Sequence, residues 1–184
     1  MYKILIADDE GIVRESLKFI IDKDFSDCEI YLAKSGRQAI ELAEENRPDI
    51  ALLDIQMPGI NGLSALREIK SMNPKIRALI LTAYDNFDYA KEAIELGATD
   101  YIMKPIDRKK IVEELTKLMH SIDEERRKRQ DDLNIRERME AVVPIIENGF
   151  VLSLIIQNEY GYSGAQYRSL LNLSEDYGFI TVFE

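Results

Sequence analysis

The sequence predicts an α/β domain on a five-stranded parallel sheet, doubly wound, and three observations carry that expectation. Short apolar runs recur at residues 3–7, 29–33, 49–53, 77–81 and 100–103. Segments with apolar residues at helical spacing separate them, and strands alternating with helices in this way form βαβ units. The runs are near-continuously apolar rather than alternating, as in strands covered on both faces.

Taken in order, Ile12, Leu17, Ile20 and Ile21 mark the first helix, and Ala39, Ile40, Leu42 and Ala43 the second. Leu63, Leu66 and Ile69 mark the third, and Ala90, Ala93, Ile94 and Leu96 the fourth. Pro58-Gly59, Asn61-Gly62 and Gly97 supply the breaks between elements. From Asp107 a stretch free of Pro and Gly predicts one long helix ending at Val143, just before Pro144.

Ile111, Leu115, Leu118 and Ile122 follow the 4-3-4 spacing of a heptad seam. The same register meets Glu125, Arg129, Asp132 and Arg136 before returning to Met139, Val143 and Ile146, with Leu133 outside it. The expectation is a coiled-coil dimer stem over 107–146, with a solvated linker helix as the alternative. Residues 147–184 read as a short helix, a second helix opening at 163–166 with capping-box spacing, and a strand at 177–184. An apolar strand at the chain's end points to a next domain only just begun, so this is read as part of a longer protein.

The formal net charge is −10 and 46% of the residues are hydrophobic, enough for a real core. Residues 107–146 balance ten basic against ten acidic side chains, so the acidity lies in the flanking parts. An acidic globular part with no basic stripe makes the chain itself a poor nucleic-acid binder. Cys28 is the single cysteine and reads as a plain thiol, which fits a reducing compartment. No apolar run approaches the roughly 18 residues of a membrane span. The expected location is the cytoplasm, with no membrane contact.

In a parallel α/β sheet, ligands bind beyond the carboxyl ends of the strands. Asp8 and Asp9 follow the first apolar run, Asp54 the third, Thr82 the fourth and Lys104 the fifth. All five share one rim if the first and third strands are neighbours. Carboxylates about 4 Å apart repel by roughly 4 kcal/mol per pair at an effective dielectric of 20, so a proton or a cation must relieve the cluster. An all-oxygen site suits Mg²⁺ or Mn²⁺. With Lys104 as a point charge and Thr82 as a hydroxyl donor, the set can hold phosphoryl oxygens in line with an attacking oxygen. Asp54 is thus placed to be phosphorylated.

The stretches "ADDE", "LLDIQMPGINGL", "LTAY" and "GATDYIMKP" together resemble, in order and spacing, the receiver domain of two-component response regulators, over about residues 2–120. The resemblance implies a flavodoxin-like fold in which Asp54 takes phosphate from a phosphohistidine of a sensor histidine kinase. It also implies direct Mg²⁺ ligation by Asp9, Asp54 and the Gln56 backbone carbonyl, with Asp8 acting through metal-bound water. Thr82 and Lys104 would contact the phosphoryl group, Tyr101 would turn inward when Thr82 moves, and Lys104-Pro105 would be a cis peptide. Gln56 and Tyr84 occupy positions that tune hydrolysis. Such a domain is a phosphoacceptor with slow autodephosphorylation rather than a turnover enzyme. His120, on a solvated face of the long helix, reads as inert.

"AYDNFDYAKEAIELGATDYIMKP", with Tyr84-Asp85, Phe87 and Tyr89-Ala90, is similar to response regulators of the YesN/AraC type. That group carries a receiver, a helical linker, a middle region and a C-terminal pair of helix-turn-helix motifs. The resemblance implies transcription control, with DNA bound only through a domain absent here. It also implies a homodimer through the 107–146 helix or the face of the fourth helix, fifth strand and fifth helix. A module signalling only through protein–protein contacts is the alternative. A haloacid-dehalogenase-like phosphatase needs a second acid two residues after the nucleophile, and position 56 is Gln.

Overall fold

The computed structural model describes residues 1–83, 87–155 and 169. Strands β1 (Tyr2–Ala7), β2 (Cys28–Ala33), β3 (Ile50–Asp54), β4 (Arg77–Thr82) and β5 (Asp100–Met103) form a parallel sheet in the order β2-β1-β3-β4-β5. Helices α1 (Gly11–Asp24), α2 (Gly36–Asn46), α3 (Gly62–Met72), α4 (Phe87–Glu95) and α5 (Arg108–Ile155) follow the strands in turn. The chain leaves β1 for β2 on one side and returns across it to β3. The loops after β1 and β3 therefore diverge, and that divergence opens the crevice where such sheets bind ligands. The chain divides into two compact units, Met1–Glu124 and Glu125–Glu184.

Side chains alternate across each strand, and both faces are covered. Leu5, Ala7, Ala51, Leu53, Ala78 and Ile80 point to the layer of α2, α3 and α4. Ile4, Ile6, Ile50, Leu52, Leu79 and Leu81 point to the layer of α1 and α5. All of β3 is buried, so a continuous apolar run was the right signature for a central strand. Each fully buried Leu or Ile stabilises the fold by roughly 1.5–3 kcal/mol. The Ser35 hydroxyl opens α2 by accepting from Gln38 N, and the Asn61 carboxamide opens α3 by accepting from Ser64 N at 2.8 Å.

The structure corrects two expectations about the long helix. Ile111, Leu115, Leu118 and Ile122 are the face of α5 that packs on this domain's own sheet, at 0, 0, 4 and 8% exposure. A 4-3-4 apolar spacing marks any helix with one buried face, and here the partner is the sheet rather than a second copy. The helix also does not end at Val143: α5 runs through Pro144 to Ile155. Proline removes one helical hydrogen bond, but Glu140, whose carbonyl is freed, is exposed and open to solvent. Leu133, Ile135, Met139, Val142, Val143 and Ile145 are exposed along this part of the helix. The expected second helix and terminal strand of 163–184 lie outside the described residues, apart from Ser169.

Replacing Ile111 with Ala should destabilise the protein by about 2–5 kcal/mol in denaturant unfolding. Met139→Ala, on the exposed stretch, should stay within about 0.5 kcal/mol. Equal effects at the two positions would contradict the assignment of 111–122 to the domain core.

Candidate functional site

The register sets up the site. Ala7 of β1 pairs with Leu53 of β3, so the next residues, Asp8 just past β1 and Asp54 at the end of β3, stand side by side. One carboxylate oxygen from each of Asp8, Asp9 and Asp54 lies within 4.8 Å of the other two. Asp8 and Asp54 are buried, whereas Asp9 is exposed at the open side of the rim. On the neighbouring strand Thr82 closes β4 and is 5% exposed. Lys104 N donates to Thr82 O at 2.7 Å, which carries the chain from β5 across to the acids. The Lys104–Pro105 peptide bond is cis.

Lys104 answers the repulsion among the acids. Its Nζ stands 2.8 Å from Asp8 Oδ2, 2.9 Å from Asp54 Oδ1 and 3.4 Å from Glu10 Oε1. Burial pushes the Asp54 carboxyl upward and the Lys104 hydrogen bond and charge pull it back. With Asp8 and Asp9 adding repulsion, it settles above the ordinary carboxylate range. Burial pulls Lys104 down, but its close ion pairs with Asp8 and Asp54 outweigh that and hold it above an ordinary lysine.

Asp8 is pinned on every side but one. Its N donates to Ala33 O at 3.2 Å, its carbonyl accepts from Arg14 Nη1 at 2.7 Å, and its Oδ1 accepts from Glu10 N at 2.9 Å. Oδ2 is buried and, although Lys104 is close, the geometry between them is not that of a hydrogen bond. A buried oxygen with spare acceptor capacity, two further carboxylates and one face open to solvent fit a hard divalent cation such as Mg²⁺ or Mn²⁺.

Asp8, Asp9, Asp54, Thr82 and Lys104 thus gather at one rim. Gln56 is exposed in the loop after β3. Tyr101 lies on β5 and is 37% exposed. Tyr84 lies outside the described residues. His120 is exposed on α5, and Cys28 is a half-buried thiol that burial pushes above its ordinary range.

Sequence reasoning missed four contributors. Glu10 and Arg14 work on Lys104 and Asp8 through loop contacts that no spacing rule reveals. Gly62, read only as a turn residue, packs so closely that a Cβ would lie 2.0 Å from Asp54 O. A Cβ on Gly36 would lie 2.1 Å from Ile60 O, so α2 braces the same loop.

The family described as response regulator receiver domain matches residues 4–116. The transcriptional regulatory protein HptR of Staphylococcus aureus is 36% identical over 126 residues, covering 68% of this chain and 49% of its own length. The transcriptional regulatory protein YesN of Bacillus subtilis is 33% identical over 132 residues, 71% of this chain and 34% of that protein. The chain therefore spans half or less of the length of these two relatives. Among solved structures, the REC domain of AraT, a response regulator from Geobacillus stearothermophilus, is 36% identical with a TM-score of 0.64. That alignment covers 68% of this chain and 98% of the AraT domain. No described helix is long and apolar enough to cross a membrane.

Because the folded state holds the Asp54 proton more tightly than the unfolded state does, this group opposes folding when ionised. Its contribution improves as pH falls through its raised folded value toward the ordinary 3.8. In EDTA at pH 7, Asp54→Asn should therefore melt higher than the native protein, with the gap narrowing toward pH 4. Mg²⁺ at about a hundredfold excess over Kd should stabilise the native protein by about 2.7 kcal/mol and the variant by much less. Thermal melts across pH, with and without Mg²⁺, check both.

Proposed function

We propose, for a chain that belongs to the response regulator receiver domain family, that Asp54 accepts a phosphoryl group from a phosphohistidine of a sensor histidine kinase. The observation that carries this reading is the buried Asp54 carboxylate flanked by Asp8, Asp9 and a lysine ammonium 2.9 Å away. An Asp54 oxygen attacks phosphorus in line. The phosphorus–nitrogen bond to the donor imidazole breaks with its electron pair returning to nitrogen, and an acyl phosphate forms. Lys104 shifts from carboxylate to phosphoryl oxygen, and the Thr82 hydroxyl, closing β4 on the same rim, donates to another. Asp8, Asp9, Asp54 and the Gln56 carbonyl would hold Mg²⁺, which would supply positive charge to the carboxylates and phosphoryl oxygens. The chain acts as a phosphoacceptor that loses its phosphate slowly, with Gln56 and Tyr84 tuning the rate.

The added charge is the switch. Drawing Thr82 toward the phosphoryl group vacates space on β4 that Tyr101, 37% exposed on the neighbouring strand, turns inward to fill. The α4–β5–α5 face is reshaped in consequence. Driving such a pair of states from 1:99 to 99:1 takes roughly 5.5 kcal/mol of differential stabilisation. In the longer protein, a homodimer formed through that face or the exposed part of α5 would carry the change to a DNA-binding domain, in the cytoplasm. Similarity to HptR and YesN, both named as transcriptional regulatory proteins, supports that output.

The kinase needs a seat beside Asp54. Ile12 at 84% exposure and Phe19 at 67% form an apolar strip along α1. A hollow of about 480 Å³ between α1 and the Lys104–Ile106 segment adjoins it, with Val13, Ile20, Pro105 and Ile106 in its walls. Exposed apolar area at the mouth of a charged site suits a partner protein.

Asp54→Asn should abolish labelling by acetyl phosphate, and retained labelling would refute the phosphoacceptor assignment. Ile12→Asp should leave labelling by acetyl phosphate intact but lower transfer from the cognate kinase by about tenfold or more. A parallel loss from both donors would show that the α1 strip serves the chemistry rather than the partner.

A further inference from the structure

Lys104 has two incompatible tasks in the reading proposed above. Its ammonium lies 2.8 Å from Asp8 Oδ2 and 2.9 Å from Asp54 Oδ1, among the oxygens that a cation would use. A bound cation and a lysine ammonium repel each other, so for the cation to enter, Lys104 has to loosen its hold on Asp8. Asp9 is exposed and belongs to the same ligand group, so it offers the lysine no independent partner. The remaining carboxylate is Glu10, whose Oε1 is 3.4 Å from Lys104 Nζ and whose side chain is 64% exposed. Its own backbone N–H is committed to Asp8 Oδ1 at 2.9 Å, so the residue is fixed at its root while its exposed tip meets Lys104.

We propose that Glu10 is a positioning residue that draws the Lys104 ammonium off Asp8 and thereby sets how readily a divalent cation enters among Asp8, Asp9 and Asp54. The inference rests on reading those three acids as the cation site. Glu10 does not ligate the ion; it gives the displaced lysine a second anion, so that loosening from Asp8 does not leave the ammonium unpaired in a half-buried position. Substitution of the Glu10 side chain leaves the backbone bond to Asp8 in place, which separates this role from support of the loop.

Calorimetric titration of Mg²⁺ into the native protein and into Glu10→Gln, Glu10→Asp and Lys104→Gln variants tests the idea, with thermal melts confirming that each is folded. Glu10→Gln should weaken Mg²⁺ binding by about 1.5- to 5-fold, the range of a solvent-exposed ion pair. Glu10→Asp keeps the charge but shortens the reach to Lys104, and should weaken binding to a similar degree. Native-like affinity in Glu10→Asp alongside weakened Glu10→Gln would overturn the proposal, because charge alone would then matter. Lys104→Gln should tighten binding, and adding Glu10→Gln to it should have no further effect. An undiminished loss in that background would equally overturn it, whereas absence of Mg²⁺ binding to the native protein would remove the cation reading itself. If Lys104→Gln does not fold, the two Glu10 variants decide the question.

Discussion

The site depends on one electrostatic constraint: acids forced together at the ends of two neighbouring strands have to be neutralised. Backbone register brings Asp8 and Asp54 out of adjacent strands, and neither can retreat because each is attached to a fully paired central strand. Lys104 meets that constraint in this structure, and its position depends in turn on the bond from its N to Thr82 O. The rim therefore holds a lysine that is attracted to the same oxygens a metal ion would use. In the function proposed above, binding and switching chemistry draw on this tension, and the lysine that neutralises the acids becomes the charge that a second cation displaces.

The surrounding fold makes the convergence rigid. Asp8 is anchored from three directions by Ala33, Arg14 and Glu10. The loop after β3 is pressed from below by two residues without side chains, Gly36 and Gly62. A methyl group at either would have to displace backbone, which commonly strains a packed region by about 1–3 kcal/mol. The gain is that the Asp54 carbonyl and carboxylate keep one orientation. Functional geometry here rests on what is missing from two side chains as much as on what the acids supply.

Much of this was legible in the sequence, and the reason is physical. A strand buried on both faces must be apolar throughout, so a carboxylate at the end of such a run, as in β3, stands out. Five polar residues at the ends of four strands fall on one rim when the sheet is parallel. Less legible were contacts made through space: Arg14 on the Asp8 carbonyl, Glu10 beside Lys104, and Gly62 against Asp54. The apolar spacing of α5 was visible but ambiguous, because a helix on a sheet and a helix on a second helix bury the same kind of stripe. Pro144 misled for a related reason, since a missing hydrogen bond is tolerable where solvent can reach the freed carbonyl.

The alternation of side chains between the two helical layers has a bearing on how this sequence can vary. In β3, Ile50 and Leu52 serve one layer while Ala51 and Leu53 serve the other. Inserting or deleting a single residue there would exchange the two sets and swing the carboxylate at the strand's end toward the opposite layer. Length changes in this domain are therefore tolerable in exposed turns distant from the rim, such as Ser26–Asp27 between α1 and β2, and barred from the central strands, whatever residue is added.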